Sequence, residues 1–168
     1  MISDSSIKWI ENLAEQEGLI LSGVLPNLDI SRTRDEVLAV STSVFMRELK
    51  AQWLMLSKLF NSRMKEPAFC ITWGEISERP DNFFLERNSV RLVVTSVRSG
   101  SIQIKCEKLS LESPSKTSTV FSGVLEGRFS NFDEVTWHFL EKPITAEQFS
   151  RYYLTEFLQS SRALEKLF

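Results

Sequence analysis

His138 is the only histidine in the chain, so any catalytic or metal chemistry built on imidazole must use that single ring. One ring cannot make a two-histidine metal site, but it can serve as a lone general base or acid if a partner faces it. His138 lies in the alternating run 134–140, beside Thr136 and opposite the side formed by Val135, Trp137 and Phe139. The two thiols of the chain, Cys70 and Cys106, sit far apart, each inside an apolar, strand-like run. They are expected to be reduced core cysteines, since a disulfide or zinc site needs more ligands at closer spacing. The carboxylate pairs Asp35/Glu36, Glu75/Glu78 and Glu134/Glu141 each suit a helix start or a solvated turn. Six scattered glycines make no phosphate-binding loop. The sequence therefore predicts no catalytic constellation, no metal site and no cofactor.

What it offers instead is surface. Residues 31–63 form a long helical pattern in which Leu38, Phe45, Leu49, Leu56 and Phe60 recur at helical spacing. Asp35 and Glu36 suit its positive end, Arg63 suits its negative end, and Pro67 prevents continuation. Val40, Met46, Leu54 and Met55 are apolar outside that stripe, and Trp53 widens it. This surplus predicts a partner-binding face made of Met46, Trp53, Leu54 and Met55, joined by the apolar end of the tail at Leu164, Leu167 and Phe168. The partner is expected to be a protein, with homodimerisation through the long helix the simplest use of the face.

Two other ligands are compatible with the same sequence. Arg47, Lys50, Lys58 and Arg63 on the long helix, with Arg91 and Arg98 in the hairpin that follows, are candidates for phosphate contacts to nucleic acid. The formal net charge of −2 argues against a dedicated duplex binder. Twelve phenylalanines and four tryptophans also allow an apolar ligand between sheet and helix.

The elements that must position these residues follow from periodicity and turn chemistry. A short helix over 7–16, capped by Ser5 or Ser6 and stopped at Gly18, precedes an apolar strand over 19–25. Serine and threonine at 41–43 mark a weak spot in the long helix. Strands are expected at 68–73, 83–85 (a short strand or edge), 89–97, 101–109, 119–129 and 134–140, the third and fourth forming a hairpin around Arg98, Ser99 and Gly100. Helix is the alternative for 134–140, because Asn131 and Glu134 have capping-box spacing. Thr145 and Gln148 have capping-box spacing at the start of a last helix, about 145–160.

Strands grouped together, with helices before and after, predict an α+β fold. The expectation is one domain over 1–168, in which an antiparallel meander of four to six strands (about 67–141) packs around the long helix. Its length suffices for a core without disulfides. The start of the chain does not resemble a signal peptide and no apolar run reaches membrane-spanning length, so a cytoplasmic protein off the membrane is expected. The function expected is that of a non-enzymatic interaction module, whether adaptor, chaperone-like or inhibitor/immunity-type.

Overall fold

The computed structural model describes residues 2–24, 34–76, 78, 81–113, 115–132 and 134–162. The chain divides into two compact units, 1–33 and 34–168. The first contains α1 (Asp4–Leu21), capped by Ser3, whose hydroxyl accepts from the Ser6 amide at 3.2 Å. The strand expected over 19–25 is absent from its described part. The helix runs through Gly18 to Leu21, and the turn comes at Gly23, whose φ of +75° is the left-handed conformation glycine adopts readily. Isoleucine and leucine at 19–21 propagate a helix as readily as they start a strand, which the length of the run alone did not resolve.

The second unit is α+β. It holds α2 (Arg34–Arg63), a 3₁₀ turn (Pro67–Phe69), then β1 (Thr72–Glu75), β2 (Phe83–Arg87), β3 (Val90–Arg98), β4 (Ser101–Leu109), β5 (Thr117–Phe129), β6 (Val135–Phe139) and β7 (Lys142–Pro143), and finally α3 (Ala146–Ser160). All seven strands form one antiparallel sheet in sequence order, wider than the four to six expected. The added strand, β7, is a two-residue return after β6, and Pro67 turns the start of the run 68–73 into the 3₁₀ turn. Phe83–Arg87 is interior, paired on both sides.

Alternation decides which face is buried. Phe83, Leu85, Leu92, Val94, Ile102, Ile104, Cys106 and Leu125 are fully enclosed, while their neighbours along each strand are not. Both helices cover this one face. Trp53 of α2 meets Phe83 edge-on at 5.6 Å between ring centroids, and Phe45 meets Trp137 at 4.7 Å. Phe149 of α3 lies against Phe139 and Tyr153.

α2 is unbroken at Ser41–Ser43. Thr42 donates to the Leu38 carbonyl at 2.6 Å and accepts from the Gly100 amide at 2.8 Å, fastening the β3–β4 turn to the helix. Gly100 has φ +79°, and a methyl group there would meet Leu38 at 2.6 Å. At the start of α3, the Thr145–Gln148 capping box is present with both reciprocal bonds.

Candidate protein-binding groove

The buried stripe of α2 runs through Thr42, Phe45, Met46, Leu49, Trp53 and Ser57. It is rotated from the stripe expected, because two of its six positions are polar and dilute the apolar signal. Two residues predicted for a partner-binding face are thereby corrected: Met46 and Trp53 are fully enclosed core side chains. Leu54 is half-buried and Met55 is 64% exposed. Leu164, Leu167 and Phe168 lie outside the described residues.

The same rotation carries Leu56 and Leu59 toward α3. Between the last two turns of α2 and the middle of α3 runs a groove of about 500 Å³, with apolar walls formed by Leu56, Leu59 and Phe60 on one side and Leu154 and Leu158 on the other. Leu59 is 58% exposed, so this apolar surface faces water. Met55 stands one turn before Leu59 and lengthens the apolar rim. Ile71 forms part of the floor and is held from both sides of its backbone by the Asn61 side chain, at 2.7 and 2.9 Å.

Two serines line the groove, and their hydrogen bonding differs. Ser150 is satisfied: its hydroxyl donates to the Ala146 carbonyl at 2.6 Å and accepts from the Trp53 indole at 2.7 Å. Ser57 is buried too, yet its hydroxyl is the one buried side-chain polar atom among the described residues without a partner. An unpaired buried hydroxyl costs about 1–3 kcal/mol, so such groups are rare.

The charged residues lining the groove are both cationic, Arg63 and Arg151. Arg151 pairs with Glu147 one turn earlier at 2.7 Å, in an exposed contact that water screens. Arg87 lies against two of the lining residues, Phe60 and Leu158. It donates to the Phe69 carbonyl at 2.8 Å and to the Leu158 carbonyl at 3.3 Å, with its guanidinium 5.4 Å from the Phe60 ring centre. Desolvation by burial, and then the charge of Arg162, hold its pKa below the ordinary arginine value.

The cationic residues offered for nucleic acid lie at separate places, except that Arg98 lines a pocket with Ser43, to whose carbonyl Arg47 donates. Arg47 and Lys58 are exposed on α2, where Arg47 donates to its own turn at Ser43, and Lys50 is bonded to Glu75. Arg91 sits on the opposite face of the sheet, clamped by Glu86 at 2.8 Å over the Phe84 ring. Arg98 ends β3, and Arg63 belongs to the groove. The chemistry-bearing residues are likewise apart. Cys70 precedes β1 at one edge of the sheet and His138 lies in β6 near the other. His138 Nδ1 lies 3.2 Å from the Thr136 carbonyl.

Against this geometry, no protein-family model, curated protein or solved structure matches the chain. Among the described residues, no helix is long and apolar enough to cross a membrane.

Sequence reasoning missed the groove's far wall. Leu154 and Leu158 are spaced as one side of α3, but pairing them with Leu59 requires knowing that α2 and α3 are neighbours. Leu56 and Phe60 stand in the apolar stripe that the sequence predicts for the long helix, and nothing in that stripe shows that they face α3.

Proposed function

We propose that this chain is a protein-interaction module, without chemistry of its own, that receives an amphipathic helix of a partner protein in the groove between α2 and α3. The observation that carries this reading is the groove itself: Leu56 and Leu59 are exposed beside the half-buried Phe60, Leu154 and Leu158, and Arg63 and Arg151 are among the lining residues. A helix with an apolar stripe at positions i, i+3, i+4 and i+7 fits such a trough, as in other helix-in-groove recognition. Arg63 favours an acidic residue flanking that stripe, and Arg151 does so only in exchange for its exposed pair with Glu147; such contacts would steer encounter and fix register more than add affinity. Ser57 supports the reading from another side, since a buried hydroxyl left unpaired is the sort of local cost found at functional positions.

The test is selection of helical peptides from a displayed library against the full chain, followed by titration. The reading predicts enriched peptides with an apolar stripe and acidic flanks. Binding should weaken at least tenfold on Leu59→Glu and on Leu154→Glu while circular dichroism is unchanged. Enriched peptides that bind both variants as tightly as the parent chain would overturn it.

A further inference from the structure

β5 is thirteen residues long, but β6 pairs only with Glu126–Phe129. Among the described strands, none pairs with the other side of residues 117–125, although β4 pairs with that stretch on its near side. Proteins blunt such edges with charges, prolines, bulges or short length. This stretch reads TSTVFSGVL, with no charge and no proline, and its single irregularity is the bulge that leaves Val120 without a β4 counterpart. Residues 117–124 are all exposed or half-buried.

Where β6 leaves β5, the sheet steps back and a cleft of about 420 Å³ opens along Phe121–Val124, walled by the β6–β7 turn and by α3. The cleft is acidic: among the described residues, Glu126, Glu141 and Glu156 line it with His138 and one guanidinium, Arg128, which Glu126 and Glu141 already hold at 3.0 and 2.9 Å. Tyr152, 49% exposed, adds an aromatic wall.

We propose that the free edge of β5 is a second docking site, which takes an extended segment of a partner as an added antiparallel strand with a basic group at its N-terminal end. Main-chain pairing to residues 121–125 supplies affinity, as in other strand additions. Polarity follows from topology. β6 runs antiparallel to β5 and stops at the cleft, so a strand continuing along its line begins there. Its first residues, or its α-amino group, lie beside the three carboxylates. This site is independent of the α2–α3 groove, and its charge preference is opposite.

The experiment uses the full chain and two labelled peptides of alternating valine and threonine, one with two lysines at its N-terminus and one with the same lysines at its C-terminus. Fluorescence anisotropy is expected to give at least tenfold tighter binding of the N-terminal lysine peptide, weakening with salt and lost on Glu156→Lys, which leaves the Arg128 contacts in place. Hydrogen exchange should slow at Phe121–Leu125 when that peptide binds, while Leu59→Glu leaves the affinity unchanged. Equal affinity for the two peptides, or an unaltered affinity in Glu156→Lys, would overturn the proposal. So would a peptide-free dimer, seen by light scattering, that buries this edge against a second copy.

Discussion

The indole N–H of Trp53 donates to the hydroxyl of Ser150 at 2.7 Å, a buried bond joining α2 to α3 across 97 positions of sequence. It explains why the largest apolar residue of the long helix is not a surface for partners. Trp53 has Phe83 on its edge and Phe149 stacked at 6.4 Å, and its one polar atom is satisfied within the protein. Trp53→Phe keeps most of the packing but removes the donor, and should cost about 1–3 kcal/mol in denaturant unfolding. Trp53→Glu buries a carboxylate without a partner and should yield unfolded or insoluble chain. A folded Trp53→Glu protein would contradict this placement.

Ser57 makes the opposite prediction. Ser57→Ala deletes a buried hydroxyl that has no partner and places a better helix former in α2, so stability should rise by about 1 kcal/mol. The readout is the urea midpoint at unchanged slope. A loss of stability would mean that the hydroxyl is bonded.

Gly123 and Tyr153 form a close pair. A methyl group at Gly123 would stand 2.0 Å from the Tyr153 hydroxyl and 3.2 Å from the ring carbon that bears it. Gly123→Ala should therefore cost about 1–3 kcal/mol by overpacking, and clearly less in a Tyr153→Phe background. Strict additivity in that double-mutant cycle would show that the two side chains do not meet.

Stability should fall at high pH. Burial pushes the Cys106 thiol up from 9.0 to about 12 and the Tyr153 phenol up from 10.0 to about 12. Both raised groups favour the neutral form in the folded chain. Their contribution is whole below the unfolded values and is lost between pH 9 and 12, as the unfolded chain releases protons that the native chain retains. Cys106→Val should remove the lower part of that decline and Tyr153→Phe the upper part, read as unfolding midpoints against pH.

The β6–β7 turn carries Leu140 and Glu141 at φ +50° and +66°, a backbone that asparagine and glycine adopt with less strain. Leu140 is 77% exposed, so Leu140→Asn changes little packing and should stabilise by about 0.5–1 kcal/mol in thermal unfolding. A destabilised Leu140→Asn would mean that the leucine packs against something in solution.

The α+β class, the β3–β4 hairpin and the capped start of α3 were legible in the sequence because each rests on local chemistry. Alternation at Ile102, Ile104 and Cys106 marks the buried side of β4, and Thr145 with Gln148 marks a helix start. The face of α2 was not, because Thr42 and Ser57 lie on its buried stripe and Leu59 lies off it. Hydrophobicity ranks those residues the other way round, and only the docked Gly100 turn and the neighbouring α3 account for the difference. The edge of β5 that no described strand pairs was also hidden, since it depends on where β6 stops pairing rather than on any residue within β5.

The groove is most directly tested by a photo-activated cross-linking residue placed at Leu59, with a control at the exposed Gln103 of β4, in the protein's native host. The account predicts one discrete protein adduct from position 59, mapped by mass spectrometry to an amphipathic helix with acidic flanks, and none from position 103. No adduct at 59, or the same adducts at both positions, would contradict it.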